Sequence, residues 1–331
     1  MKRTDSLRMA WKQAIKETIW LLNRHRPGPR KNICLFSTRR GGSTLLMDVV
    51  AANRGVRYID QPFSLYGATP GQLAHLPLVE DSQFILLDDV QERQVHRYLS
   101  RLFDGSLSVR APWEWWRPDF DFVSDRLVLK ILDAKGLIDW IDTHFEVHIV
   151  YSTRHPIPTA LSIIRNTWSL TARAYLRHEG FVTRYLDDAR LAYCWDLLKR
   201  GSQLQQHVMN WALENLIPLR LLPDRPHWLY LSYEEMLLAP ERALEWLADR
   251  LDLSDLDRMR RRIHRASRST KKLHSTFSSE KTAREMIEAW QHTVSAEDAR
   301  AAFDVLDTLE ISLYRPDSPL PTRRTLLADT N

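Results

Sequence analysis

The chain has 331 residues, of which 44% are hydrophobic and 27% are charged, and this balance is typical of a globular protein with a buried core. Only two cysteines occur, Cys34 and Cys194, and they lie far apart in the sequence. This excludes a disulfide framework and a cysteine zinc site, and it favours a reducing compartment.

Residues 1–31 form a basic segment. They carry nine Lys or Arg against two acidic residues, a net charge of +7, whereas the rest of the chain is about −2. Apolar residues recur every three or four positions, which predicts an amphipathic helix (Leu7, Trp11, Ile15, Ile19, Leu22). Two interpretations stay open: a helix docked on the domain with its basic face in solvent, or peripheral attachment to anionic lipid.

Short apolar runs alternate with helical segments along the rest of the chain. Strands are predicted at 32–37, 55–60, 126–132, 146–152 and 227–232, and helices over 82–102 and 186–215, among others. This alternation predicts an α/β fold with three α/β/α layers, in which helices cover both faces of a central parallel sheet. We expect one domain over 32–315, preceded by the basic segment 1–31 and followed by a tail over 316–331.

The stretch "STRRGGSTLL" joins the first strand to a helix. Glycines at 41 and 42 allow close approach of a ligand, and the helix N-terminus favours an anion there. Ser43 and Thr44 offer hydroxyl groups, and Arg40 offers a positive charge. An N-cap serine beside a tight turn would need no ligand, but the adjacent arginines count against that interpretation. No lysine precedes Ser43, so the ATP-binding Walker A pattern is absent.

This turn resembles the 5′-phosphosulfate loop of sulfotransferases that use 3′-phosphoadenosine 5′-phosphosulfate (PAPS), in particular the glycan-modifying and bacterial branches. Gly41 stands where the family usually has a serine. The resemblance implies a P-loop-like fold, PAPS as co-substrate and no metal. It also implies that the turn residues contact the nucleotide (Arg40, Gly41, Gly42, Ser43, Thr44, Leu45).

A second stretch, "YSTRHPIPTALSIIRN", resembles the family segment that holds the 3′-phosphate. The resemblance assigns that contact to Arg154 and Ser162, which are eight residues apart. His155 replaces the usual aspartate, and we interpret it as a turn residue. Two further matches imply that Lys130 touches the transferred sulfonate and that Tyr233 lies near the adenine.

The positions at which relatives carry the general base differ from the family pattern in this chain. Gln61 and Leu132 stand where relatives carry a glutamate or a histidine. The available carboxylates are Asp60, Glu114 and Asp133, each of which is equally explained as an ordinary exposed or capping residue. Asp133 is favoured because it follows Lys130 closely at a strand end, so the expected catalytic residues are Arg40, Lys130 and Asp133.

The expected reaction is sulfuryl transfer from PAPS to a hydroxyl of a carbohydrate or glycolipid, in the cytoplasm or at the inner membrane face. Trp113, Trp115 and Trp116 fit either stacking on sugar rings or packing in the core. The basic run 258–272 fits either steering of anionic ligands or a solvated helix face, and no nucleic-acid partner is expected. The alternatives are an ATP-dependent P-loop kinase and a non-catalytic, membrane-associated nucleotide-binding scaffold.

Overall fold

The computed structural model describes residues 3–66, 68–79, 81–116, 120–264 and 280–327. The part of the predicted basic run beyond 264 lies outside these residues. Five strands form the central sheet: β1 (Asn32–Ser37), β2 (Val56–Asp60), β3 (Arg126–Ile131), β4 (Val147–Thr153) and β5 (Leu229–Ser232). All pairings are parallel and the strand order is β2-β3-β1-β4-β5, so the predicted central parallel sheet is confirmed.

Fifteen α-helices are assigned within the described ranges. They are α1 (Arg3–Leu22), α2 (Ser43–Val50), α3 (Pro70–Leu73), α4 (Asp89–Phe103), α5 (Ile138–His144), α6 (Pro156–Arg165), α7 (Ala172–Arg177), α8 (Glu179–Tyr185), α9 (Asp188–Arg200), α10 (Gln203–Leu221), α11 (Tyr233–Leu238), α12 (Pro240–Arg250), α13 (Leu256–Ile263), α14 (Glu280–Glu288) and α15 (Ala296–Thr308). Short 3₁₀ turns occupy Lys135–Leu137, Leu222–Asp224 and Ala289–His292, and two-residue strands Arg24–His25 and Val123–Ser124 pair separately. Within these ranges, none of the helices has both the length and the apolar content to cross a bilayer.

The core lies on both faces of the sheet. Successive residues of a strand point to opposite faces, and in β1 the side chains of Ile33 and Leu35 join one apolar cluster while Cys34 and Phe36 join the other. The first cluster includes α2, α12 and α13, and the second includes α4, α5, α10 and α15. The predicted three-layer α/β/α architecture is therefore confirmed.

Two predicted helices have different bounds in the structure. The segment 186–215 forms two helices, because Gly201 and Ser202 interrupt it and Ser202 caps α10 by accepting a hydrogen bond from the Gln205 N–H at 3.2 Å. The segment 82–102 becomes helical only at Asp89, after the capping residue Asp88. In both cases a side-chain cap sets the boundary.

The predicted N-terminal helix is confirmed, but it does not pack through the predicted apolar stripe. Trp20 is buried, and its indole N–H donates to the Ala111 carbonyl at 2.7 Å, whereas Trp11 is 71% exposed and Leu22 54% exposed. At about 100° per residue, Trp20 lies on the opposite side of α1 from Trp11. A tryptophan that finds both apolar contact and a hydrogen-bond acceptor thus docks the helix. Trp11 and Leu22 of the predicted stripe are exposed, whereas Ile15 and Ile19 are half-buried.

We expect Trp211→Ala to lower the free energy of unfolding by about 3–5 kcal/mol, because it removes a large, fully buried side chain from α10. Chemical denaturation measures this change. The matched control is Trp115→Ala, at an exposed tryptophan, which should change stability by no more than about 0.5 kcal/mol. Equal effects of the two substitutions would contradict the placement of Trp211 in the core.

Candidate functional site

The phosphate turn follows the carboxyl end of β1. Arg40 and Gly42 both have positive φ, 63° and 82°, and α2 begins at Ser43. The left-handed region is uncommon for a residue with a side chain, so Arg40 sits in a conformation that its surroundings must hold. The Gly41 N–H donates to the Thr38 carbonyl at 2.9 Å, which closes the turn.

Tyr233 packs directly against the turn. It is the first residue of α11, after β5, and a Cβ atom placed on Gly42 would collide with its ring. Gly42 is therefore required both by its positive φ and by the aromatic ring beside it.

The two predicted phosphate-binding stretches meet at this turn. Arg40 Nε donates to Ser162 Oγ at 2.9 Å, and Arg154 Nη1 donates to the Arg40 carbonyl at 3.1 Å. The Arg154 guanidinium also lies over the Tyr233 ring, with 4.8 Å from Cζ to the ring centroid. Burial and the neighbouring charge of Arg154 lower the pKa of Arg40. Two guanidinium groups crowded in this way favour an anion between or beside them.

Lys130 lies at the same edge of the sheet. Lys130 of β3 is the register partner of Asp60 in β2, so the two side chains lie on the same face of the sheet. Lys130 Nζ is 2.5 Å from Asp60 Oδ1 and 3.2 Å from Thr44 Oγ1. The sequence did not predict this ion pair. It places an ammonium group beside the first turn of α2, and Asp60 remains partly exposed.

The three candidate carboxylates occupy different surroundings. Asp133 follows the end of β3, accepts a hydrogen bond from Gln83 Nε2 at 3.3 Å, and has its pKa raised by burial. Glu114 lines a separate cavity of about 110 Å³ beside Arg57 and the last turn of α2. Asp60 and Asp133 therefore lie near the carboxyl edge of the sheet, and Glu114 does not line the phosphate turn.

A buried ion-pair network lies behind the turn, and sequence reasoning missed it. Glu214 of α10 accepts from Lys135 Nζ at 2.7 Å, from Thr171 Oγ1 at 2.6 Å and from Asn210 Nδ2 at 2.9 Å, and Arg39 Nη2 is 3.5 Å away. Burial alone would raise the pKa of Glu214, but Lys135 and Arg39 hold it at about 2. Glu214 is thus ionised and fully paired.

This network explains why the turn has two arginines. Arg39 points toward Glu214 and also donates to the Ser169 carbonyl at 3.2 Å, whereas Arg40 points toward Ser162. Trp168, in the same segment as Ser169, lies 5.7 Å from the Arg40 guanidinium. Arg39 therefore ties the turn to the segment that covers Arg40.

His155 begins α6 and is fully buried. Its ring stacks on Trp290 with 4.7 Å between centroids, and its backbone N–H donates to Glu234 Oε1 at 2.8 Å. Burial and the charge of Arg154 lower the pKa of His155 to about 3, while burial raises that of Glu234 to about 7. A neutral, stacked histidine at this position fixes the start of α6 rather than carrying a proton.

No protein-family model matches the chain, and the search of curated proteins gives no match. One solved structure with partial similarity is mouse sulfotransferase SULT7A1 complexed with PAP, with a TM-score of 0.41, 14% identity and 89% of both chains covered. Another is the sulfotransferase domain from the curacin biosynthetic pathway, with a TM-score of 0.45, 16% identity, and 87% of this chain and 100% of that chain covered. A third is sulfotransferase STF1 from Mycobacterium tuberculosis, with a TM-score of 0.31, 15% identity, and 84% of this chain and 80% of that chain covered. At these scores and identities the similarity does not assign the chain to a family.

We expect stability to fall as the pH drops from about 4.5 toward 2, because the depressed pKa of Glu214 stabilises the fold only while its carboxylate is ionised. Glu214→Gln should lower stability at pH 7 and show a smaller loss on acidification. Glu297→Gln, at an exposed glutamate of α15, is the matched control. Denaturation curves across this pH range measure both effects, and an unchanged pH dependence in Glu214→Gln would contradict the assignment.

Proposed function

We propose that the chain is a PAPS-dependent sulfotransferase. The observation that carries this proposal is the meeting of Arg40, Arg154 and Ser162 at the turn, because PAPS carries anionic groups on both its 5′ and 3′ positions. One cationic pocket would suffice for a simple phosphate ligand. Here two guanidinium groups follow two separate strands, and that of Arg40 donates a hydrogen bond to the Ser162 hydroxyl of α6. Such an arrangement suits a nucleotide that carries phosphate groups at both ends.

Each part of the site has a role in this proposal. The N–H groups of residues 42–44 and the hydroxyls of Ser43 and Thr44 hold the 5′-phosphosulfate, with Arg40 beside them. The N–H groups of Gly41 and Leu45 bond to carbonyls of the turn instead. Arg154 and Ser162 hold the 3′-phosphate, and Tyr233 borders the adenine. No step requires a metal ion in this scheme.

The chemistry is in-line transfer of a sulfuryl group to an acceptor oxygen. The bond from sulfur to the bridging phosphate oxygen breaks, a bond to the acceptor oxygen forms, and adenosine 3′,5′-bisphosphate leaves. Arg40 and Lys130 neutralise charge that develops on the leaving oxygen, a contribution of about 10²–10³ in rate for one such contact. Asp133 accepts the acceptor's hydroxyl proton, aided by its raised pKa, and Asp60 orients Lys130.

The acceptor we propose is a hydroxyl of a carbohydrate or glycolipid. The exposed rings of Trp115 and Trp116 suit stacking on a sugar, and their loop starts at Arg110, whose carbonyl accepts the Asp60 N–H at 3.1 Å. We propose a cytoplasmic location at the inner membrane face, on the strength of the +7 charge of residues 1–31.

Adenosine 3′,5′-bisphosphate should stabilise the protein by about 1.4 kcal/mol at ten times its Kd, and ATP with Mg²⁺ should not. Arg154→Ala should weaken bisphosphate binding by roughly 10–100-fold, because a charged hydrogen-bonding partner of the 3′-phosphate is lost. Thermal shift and calorimetric titration measure these effects.

The matched control is Arg173→Ala, at an exposed arginine on the neighbouring helix α7, which should bind as the wild type does. Stabilisation by ATP with Mg²⁺ instead of the bisphosphate would favour the kinase alternative. Normal bisphosphate binding by Arg154→Ala would remove the second phosphate contact from the proposal.

Asp133→Asn should lower the rate of sulfuryl transfer by roughly 10²–10⁴-fold while bisphosphate affinity stays unchanged, because only proton transfer is lost. The wild type is first assayed with a panel of carbohydrates and glycolipids, and the acceptor that it labels best is chosen. The assay then follows transfer of the labelled sulfuryl group from PAPS to that acceptor. Asp89→Asn, at an exposed aspartate of α4, is the control. Full activity of Asp133→Asn would exclude it as the base, and binding without any labelled acceptor would favour the scaffold alternative.

A further inference from the structure

An apolar face of α1 points away from the domain. Trp11 is 71% exposed, Leu21 82% and Leu22 54%, whereas the buried Trp20 docks the helix from the other side. Trp11 and Leu22 are eleven residues apart, so they fall within about 20° of each other around the helix. A helix that buries one tryptophan and exposes another together with two leucines has a second contact face.

The aromatic loop continues this face. Lys12 and Lys16 lie over the Trp113 ring, with 5.5 and 5.4 Å from Nζ to its centroid. Trp116 packs edge-on against both Trp113 and Trp115, at 5.2 and 6.1 Å between centroids. Trp115 and Trp116 are themselves more than half exposed. The lysine–tryptophan contacts therefore place the loop beside the Trp11 side of the helix. We call the exposed apolar side chains of the helix and the loop the α1–Trp surface (Trp11, Leu22, Trp115, Trp116).

Charge selects the partner for this surface. Residues 1–31 carry a net +7, and the exposed Arg24 and Arg26 follow directly after Leu22. Two copies of so basic a helix would repel each other, whereas exposed tryptophans flanked by lysine and arginine suit the interface of an anionic bilayer. We propose that the α1–Trp surface docks on an anionic lipid bilayer.

The α1–Trp surface is linked to the candidate site through two adjacent residues. Arg110 and Ala111 connect the two regions: the Arg110 carbonyl accepts the Asp60 N–H, and the Ala111 carbonyl accepts the Trp20 indole N–H. Asp60 in turn pairs with Lys130. The acceptor hydroxyl is then one carried on a lipid; this part rests on the proposed function, and the docking itself does not.

Sedimentation of the full chain with vesicles of phosphatidylcholine and phosphatidylglycerol tests the docking. Wild type should co-sediment with these vesicles. Its binding to vesicles of phosphatidylcholine alone should be at least about tenfold weaker, because they lack the negative charge that attracts the basic segment. Trp11→Ser/Leu22→Ser and Trp115→Ser/Trp116→Ser should each weaken binding to the anionic vesicles by about tenfold or more.

Leu78→Ser is the matched control, since this leucine is 92% exposed and lies outside the α1–Trp surface. All variants should keep the thermal midpoint and bisphosphate affinity of wild type, which separates loss of docking from unfolding. Wild type left in the supernatant with anionic vesicles would overturn the docking proposal, as would binding by both double variants at wild-type strength. Self-association that these variants abolish, without vesicle binding, would assign the surface to a second copy instead.

The lipid-borne acceptor is tested with labelled PAPS, a glucosyl diacylglycerol in anionic vesicles, and methyl glucoside at the same concentration. We expect at least about tenfold more label on the lipid, and Trp11→Ser/Leu22→Ser, which leaves the proposed sugar-stacking rings in place, should lose this preference. Equal labelling of the two glucosides, or labelling of neither, would overturn the lipid-borne acceptor. Failure of wild type to bind the bisphosphate would instead overturn the proposed function and leave the sedimentation result standing.

Discussion

The candidate site depends on the parallel pairing of β1 with β4. Their register pairs Ser37 with Ser152, so both strands release their chain at the same edge, and Arg40 and Arg154 follow within a few residues. Burial, and after it the neighbouring positive charge of Arg154, lowers the pKa of Arg40. The hydrogen bonds from Arg154 to the Arg40 carbonyl and from Arg40 to Ser162 hold the two side chains there nonetheless. The backbone pairing thus brings two arginines to the same edge of the sheet.

A negative charge, the carboxylate of Glu214, is buried behind the turn. Lys135 and Arg39 share the Glu214 carboxylate, and hydroxyl and amide donors from Thr171 and Asn210 satisfy its remaining acceptor positions. A buried charge that is paired and fully hydrogen-bonded avoids the penalty of an isolated one. Because α10 supplies Glu214, this buried helix fixes the direction in which Arg39 points, whereas Arg40 points toward Ser162 of α6. Two helices therefore separate the directions of the two arginines.

Local patterns in the sequence were sufficient for the parts of the fold that depend on local physics. The apolar strands, their alternation with helices and the glycine turn before Ser43 all follow from propensity and spacing, and the sheet confirmed them. The pair of Lys135 and Glu214 spans 79 residues and has no local signal, and neither does the pair of Asp60 and Lys130. The burial of Trp20, which lies outside the predicted stripe of α1, has no local signal either, because its hydrogen-bond acceptor is the distant Ala111 carbonyl.

The contact between Gly42 and Tyr233 has a consequence for how such a site can change over generations. The tyrosine ring fills the space that a side chain at position 42 would need, and the positive φ at 42 disfavours any larger residue in addition. A variant at either position alone leaves a collision or a gap, so the two should change together or not at all. Among descendants of this chain, the pair would then be inherited as a unit, although nearly two hundred residues separate its members.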